Sequence, residues 1–175
     1  MRTIRRISHG GAAAIECISR IPHRAPLVWE AAVEPAGLSR WFPARVDYEP
    51  AEGAPIRFSG DANLPDHEGV VTEFEPGRRL GFSWGRNEVR IILAPVDGTT
   101  DFVLIDRLAH PNEAARNAAG WHERLGILER SLDVPTPEEA WHDLYARYVQ
   151  LGFPSGARVP SAALGQAEPG RPELG

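Results

Sequence analysis

The sequence predicts an α+β domain in which a curved antiparallel sheet of about six strands covers one long C-terminal helix, with an extra helix after it. Apolar and polar residues alternate along residues 44–108, and tight-turn dipeptides separate the alternating runs. After these runs comes a single apolar stripe at helical spacing. A sheet with one apolar face has to bury that face, and this stripe is the largest cover in the chain.

The domain boundaries follow from composition. The chain has 175 residues, which suits one domain. Residues 1–11 predict a flexible arm, and residues 12–153 predict the domain itself, with the extra helix at 136–153. Residues 154–175 consist largely of Gly, Pro, Ala and Glu, offer little to bury, and predict a disordered tail.

The elements before the alternating region are short. Residues 12–21 are apolar-rich and partly β-branched, which predicts a first strand. Pro26 and Pro35 each fit the first turn of a short helix. The second of these helices has an apolar side, formed by Leu38, Trp41 and Phe42.

Period-two alternation is clearest in the second half of the sheet region, in three runs: Leu80, Phe82 and Trp84; Val89, Ile91 and Leu93; Phe102 and Leu104. Pro76-Gly77 and Asp97-Gly98 are among the turn signals between runs. Short strands joined by tight turns predict an antiparallel meander.

Two helices follow the meander. The long one has an apolar face spaced four, three, four, three and four residues apart: Ala114, Ala118, Trp121, Leu125, Leu128 and Leu132. Thr136-Pro137-Glu138-Glu139 has the pattern of a helix start, with a capping residue, a first-turn proline and a glutamate three residues after the cap. The predicted second helix is too apolar on one side to be solvated all round.

Bulk properties exclude some functions. The net charge of −5 disfavours nucleic-acid binding, which needs a basic face. Apolar stretches fall short of the roughly 20 residues of a membrane span, and the first residues lack the apolar core of a secretory signal, so we expect a cytoplasmic protein that binds neither nucleic acid nor membrane. The single cysteine, Cys17, is interpreted as a buried small apolar residue.

Several short motifs occur together in a characteristic order: Val28-Trp29-Glu30-Ala31, Leu38-Ser39-Arg40-Trp41-Phe42, Glu75-Pro76-Gly77-Arg78-Arg79-Leu80, Asp97-Gly98-Thr99-Thr100, His110 and Gly120-Trp121. Over roughly residues 13–133 the chain resembles the START-like (SRPBCC) superfamily. More narrowly, it is similar to the branch named after the C-terminal domain of the activator of the heat-shock-protein-90 ATPase.

This resemblance implies a helix-grip fold of the Bet v 1 type, with a cavity under the long helix. Members include ligand carriers, cyclases, aromatases and a co-chaperone module of the stress response, so the resemblance does not fix an activity. The chain departs from the pattern by adding the helix at 136–153, and it lacks room for the co-chaperone's separate N-terminal domain.

The leading functional prediction is a cavity for a small, largely apolar or aromatic ligand, without catalysis. Five tryptophans are many for this length. Large rings between a curved sheet and a straight helix fill the gap only partly, and ligand pockets are mostly apolar. The predicted lining is Trp41, Phe58, Phe82, Trp84, Trp121 and Leu125.

Two other functions stay open. A cyclase- or hydrolase-type enzyme would use Asp106 or His110 as general base. The preferred interpretation of Asp106 is a solvated or Arg-paired strand end, and that of His110 is a polar residue capping a loop. The scattered histidines predict no metal site, and no cofactor motif is present. A protein-interaction or co-chaperone-like module would form a homodimer through the extra helix, with Trp141, Leu144, Tyr145 and Tyr148 in the interface.

Overall fold

The computed structural model describes residues 2–159, which form one antiparallel sheet and four α-helices. The strands are β1 (Arg2–His9), β2 (Ala12–Ile21), β3 (Arg45–Tyr48), β4 (Pro55–Ser59), β5 (His67–Glu75), β6 (Arg79–Trp84), β7 (Asn87–Val96) and β8 (Thr99–Arg107). The helices are α1 (Ala25–Ala32), α2 (Pro35–Trp41), α3 (Ala114–Ser131) and α4 (Trp141–Gln150), with a short 3-10 turn at Pro111–Glu113.

The sheet has the order β1-β2-β8-β7-β6-β5-β4-β3, and all neighbouring strands are antiparallel. Strands β3 to β8 form the predicted meander, and β2 joins it by pairing with β8. The Asp97-Gly98 turn is one of the tight connections, with φ of 46° and 82° at its two residues, the left-handed pair that a two-residue hairpin requires. The predicted α+β class with a meander and a long helix is thereby confirmed.

The strand count differs from the prediction, because residues 2–9 are a strand and not a flexible arm. Strand β1 pairs with β2 along its whole length, from Arg2↔Ser19 to His9↔Ala12. Gly10 and Gly11, both at positive φ, make the hairpin turn. As an edge strand, β1 buries little of its surface, and Arg5 and Arg6 both face solvent. Its sequence therefore shows almost no alternation of apolar and polar residues.

The concave face of the sheet is covered by α1, α2 and α3. Helix α3 packs on β1, β2, α1 and α2, and α1 packs on β7 and β8. Gly37 permits the close approach of α1 and α2, because a Cβ there would lie 2.0 Å from the carbonyl oxygen of Glu30. The core therefore lies between this helical layer and the inner side chains of the sheet.

The chain after α3 runs back along that helix as a strap, residues 134–158, which we call the C-terminal strap. Its helix begins at Trp141, not at residue 136, because the Thr136 hydroxyl donates to the buried carboxylate of Glu129 (2.8 Å) and does not cap a helix. Of the predicted tail, the structure describes residues 154–159, where Ala115 N–H donates to the carbonyl of Pro154 (3.0 Å). The remaining tail, 160–175, lies outside the described residues.

Within residues 2–159, no helix combines the length and the apolar character that crossing a membrane would require.

Candidate ligand-binding site

Trp121 places the long helix against the rings of the concave face. It lies on the buried side of α3, and its ring centroid is 6.4 Å from Trp41, 5.7 Å from Phe42 and 5.7 Å from Trp84. Trp41 ends α2, and Trp84 ends β6. One residue of α3 thus contacts the C-terminal end of α2 and the far half of the sheet.

Phe42 connects these rings to the strands. Its centroid lies 5.1 Å from Trp84, 5.8 Å from Phe58 and 5.7 Å from Phe82. Phe42 has extended backbone angles just after α2, which ends the helix and places its ring among those of the sheet. We call Trp41, Phe42, Phe58, Phe82, Trp84 and Trp121 the aromatic cluster.

The structure brings the predicted lining residues together, but they fill the space instead of enclosing it. Leu125 and every predicted ring except Trp84 are at most 2% exposed and belong to one continuous core. The rings meet mainly edge-to-face or tilted, arrangements that interiors favour. The physical reason is that the helical layer lies close enough to the sheet for interdigitating rings to occupy the volume that the prediction assigned to a ligand.

Two open grooves lie on the described chain, and the larger of these two includes Phe58 and His67 in its lining. One, of about 790 Å³, is lined by α2 and strands β3 to β5. The other, of about 380 Å³, lies between α3 and the C-terminal strap. Neither has both α3 and the sheet in its walls.

Hydrogen bonding distinguishes Trp84 from the other two tryptophans of the cluster. The indole N–H of Trp41 donates to the carbonyl of Ala32 (3.1 Å), and that of Trp121 donates to Asp106 Oδ2 (2.8 Å). The indole nitrogen of Trp84 is buried and has no partner. A buried donor without an acceptor costs about 1–3 kcal/mol and calls for an explanation.

His67 supplies a second unpartnered nitrogen on the same face. It pairs with Phe58 across β4 and β5, and its ring stacks on Phe58 at 4.9 Å. Because Nδ1 lies 3.1 Å from the carbonyl oxygen of Pro65, Nδ1 carries the proton in the neutral ring, and the buried Nε2 is left as a free acceptor. Trp84 and His67 are both half-buried, so the cluster reaches solvent at Trp84 and is flanked by His67, which is also partly exposed.

Asp106, a predicted general base, is fully buried and bonded inward. Its Oδ1 accepts from Asn87 Nδ2 (3.0 Å), and its Oδ2 accepts from Asn117 Nδ2 and Trp121 Nε1 (both 2.8 Å). Burial raises the pKa of this carboxyl, and the three donors oppose that rise. The arrangement joins β7, β8 and α3, so the carboxylate holds the helix on the sheet.

The other predicted catalytic candidate, His110, follows Ala109, whose N–H donates to Asn87 Oδ1 (3.0 Å). His110 is exposed and precedes the 3-10 turn.

Cys17 is fully buried in β2, as its interpretation as a core residue requires, and burial raises the pKa of its thiol well above the ordinary range. Among residues 2–159, no group of three or more His, Cys, Asp or Glu side chains could hold a metal ion.

The predicted dimer residues divide into two pairs. Leu144 and Tyr148 are buried within their own chain, where α4 packs on α3. Trp141 and Tyr145 stack on each other with centroids 5.0 Å apart and are half-buried. Dimerisation stays a prediction, and the two half-buried rings are the part of this set that faces solvent.

Sequence reasoning missed Phe42 and His67 as parts of the site. The sequence predicts Phe42 on the apolar side of a short helix, and its position next to Trp41 is the available signal. His67 had no signal, because it was one of six scattered histidines. Its position depends on the pairing of β4 with β5, which joins residues that no local pattern relates.

An antiparallel sheet closed over a long C-terminal helix, with shorter helices after its first long strand, defines the helix-grip class. The sequence profile of the family described as "Activator of Hsp90 ATPase homolog 1-like protein" matches residues 22–133. The chain belongs to this family. The profile stops before the C-terminal strap and begins after β2.

Solved structures agree with this fold. CalU16 from Micromonospora echinospora has a TM-score of 0.67 and 22% identity, over 86% of this chain and 94% of that one. A conserved protein of unknown function from Enterococcus faecalis, EF2215, has a TM-score of 0.68 and 17% identity, over 85% and 90% of the two chains. DynU16, described as a protein of the dynemicin biosynthetic locus, has a TM-score of 0.60 and 26% identity, over 71% of this chain and 48% of its own. No curated protein matches the chain.

Proposed function

We propose that this chain binds a small, largely aromatic molecule at the solvent end of the aromatic cluster, with Trp84 and His67 as its polar contacts. The proposal rests on two buried nitrogens that have no hydrogen-bond partner and lie beside packed rings, Trp84 Nε1 and His67 Nε2. Trp84 is an obligate donor and His67 Nε2 is an acceptor, so the favoured ligand carries both an acceptor and a donor on an aromatic frame. The biosynthetic locus of DynU16 is in keeping with a small-molecule ligand.

Because the interior is packed, the ligand enters by displacing rings at the exposed end of the cluster. Trp84 and His67 are half-buried, whereas Phe42, Phe58 and Phe82 are buried. Rotation of Trp84 breaks no hydrogen bond of its indole, while the same rotation at Trp121 breaks the bond to Asp106. Binding therefore requires the least rearrangement at Trp84.

An NMR titration tests the proposal. The five tryptophans give five indole N–H signals, and a Trp84→Phe variant assigns that of Trp84. With 2-naphthol as the probe, we expect a saturable shift of the Trp84 signal, and a weaker response to naphthalene, which lacks the hydroxyl. Trp84→Phe keeps an apolar ring but removes the N–H, so the affinity for 2-naphthol falls about tenfold, the scale of one hydrogen bond.

Trp29→Phe is the matched control. Trp29 packs on Phe74 (5.9 Å) outside the aromatic cluster, so this substitution leaves the affinity unchanged. If a panel of aromatic alcohols, phenols and amides gives no saturable shift at Trp84 or His67, the proposal is wrong. Equal losses in the Trp84 and Trp29 variants would also contradict it.

The enzymatic alternative finds less support. Asp106 directs both carboxylate oxygens at side chains of its own fold, and His110 lies at the surface. A general base needs a free lone pair within reach of the substrate proton. Turnover that is lost in Asp106 variants which remain folded would restore this alternative.

A further inference from the structure

His122 binds the C-terminal strap with both ring nitrogens. It lies on α3, and its Nδ1 is 2.8 Å from the hydroxyl of Tyr148 in α4. Its Nε2 is 3.0 Å from Glu139 Oε2, in the segment just before α4. A single side chain of the long helix therefore contacts two separate points of the strap.

The partners determine the protonation state that fits. Arg147 donates to Glu139 and, more than any other group, lowers the pKa of that carboxyl, so Glu139 is ionised and only accepts. The proton of neutral His122 is therefore on Nε2, where it is donated to Glu139. Nδ1 is left as the acceptor of the Tyr148 O–H bond. Neutral imidazole satisfies both contacts at once.

The charges around His122 are mixed. Arg2 of β1 donates to the carbonyl oxygen of His122 and pairs with Glu129 (3.3 Å), and Arg147 of α4 lies beyond Glu139. Burial is the main cause that lowers the pKa of His122, Arg2 adds to it, and Glu139 opposes both. The folded site thus favours the uncharged ring.

We propose that the C-terminal strap is a pH-sensitive latch, held on α3 by neutral His122 and released when this imidazole takes up a proton. Protonation puts a hydrogen on Nδ1, so the Tyr148 hydroxyl can no longer donate there. It also places a third cation beside Arg2 and Arg147. The proposal concerns contacts within this chain and does not depend on the ligand-binding function.

The sign follows from linkage. In the released state His122 of α3 is solvated and titrates near its ordinary pKa of about 6.5. The latched state titrates at lower pH, so below about pH 6.5 the released state binds more protons and falling pH favours release. One proton changes the release equilibrium by at most about tenfold per pH unit.

Hydrogen–deuterium exchange measured between about pH 5 and about pH 8, and corrected for the intrinsic rate, tests the latch. We expect the amides of α4 to lose protection as pH falls, while those of β7 and β8 keep theirs. Equal protection of α4 at both ends of this range would refute the proposal. A uniform loss across sheet and strap would also refute it, since that result indicates global unfolding.

His122→Gln removes the titrating group but keeps one amide donor and one acceptor. In this variant we expect the exchange of α4 to become independent of pH. The matched control is His142→Gln, on the same strap, whose side chain is 67% exposed and whose Nε2 lies 3.1 Å from Asp143 Oδ1. This variant keeps the wild-type pH dependence. Persistence of the dependence in His122→Gln, or its loss in His142→Gln, would contradict the latch.

Tyr148→Phe gives a second test, which measures the protonation of His122 directly and not the amide exchange of α4. The hydroxyl bonds to neutral Nδ1 and so favours the neutral ring, and its removal moves the midpoint of release to higher pH. The Cε1–H signal of His122 reports this midpoint by NMR in wild type and variant. An unchanged or lower midpoint would show that Tyr148 does not control the protonation of His122.

Discussion

Replacing Trp121 by Phe tests whether the bond from the long helix to Asp106 holds that helix on the sheet. The variant removes the N–H that donates to Asp106 Oδ2 at 2.8 Å, in a residue that is 2% exposed. A hydrogen bond to a charged group contributes about 1.5–3 kcal/mol. The smaller ring adds about 1 kcal/mol, the cost of removing a little buried apolar volume. We therefore expect the free energy of unfolding to fall by about 3 kcal/mol at neutral pH.

Urea denaturation followed by far-UV circular dichroism measures this change. The pH dependence gives a second readout, because a protonated carboxyl accepts a weaker hydrogen bond from Trp121 than a carboxylate does. The fall in the free energy of unfolding caused by Trp121→Phe therefore becomes smaller as pH falls through the raised pKa of Asp106. Trp29→Phe, at a half-buried position outside the aromatic cluster, serves as the control and costs less. A loss below about 1 kcal/mol for Trp121→Phe, or one that does not vary with pH, would refute the assignment of this bond.

Three further predictions concern stability and reactivity. Glu129→Ala leaves the buried guanidinium of Arg2 without its carboxylate partner, and calorimetry should show destabilisation of about 3–5 kcal/mol. A change near zero would mean that water replaces the carboxylate. Gly37→Ala puts a Cβ 2.0 Å from a carbonyl oxygen of α1, so we expect it to lower the melting temperature sharply. Gly120→Ala should raise the melting temperature slightly, because its Cβ would lie 3.9 Å from the nearest neighbouring atom and alanine favours a helix. Similar effects at both sites would contradict the packing of α1 on α2. Cys17 is buried and its thiol is held protonated, so a thiol reagent should label it only after denaturant is added; rapid labelling of the native protein would place β2 elsewhere.

Local patterns were sufficient wherever one segment carries its own periodicity. The alternation of Leu80, Phe82 and Trp84 predicted β6, and the stripe from Ala114 to Leu128 predicted α3. Strand β1 had no such pattern, because an edge strand with exposed arginines is stabilised by its neighbour β2 more than by its own burial. The start of α4 was misplaced because the side chain of Thr136 is bonded to Glu129, a residue of another helix.

The sequence by itself determined the class of fold, the meander and the long helix, since these follow from the period of apolar residues along the chain. Only the tertiary structure decided that the aromatic rings fill the interior, that Asp106 bonds inward, and that His67 lies beside the cluster with a free nitrogen. The physical reason is that packing and hydrogen-bond partners depend on distances between segments far apart in the chain. Trp41, Trp84 and Trp121 are alike in sequence, and their indole N–H groups differ only in what the fold places opposite them.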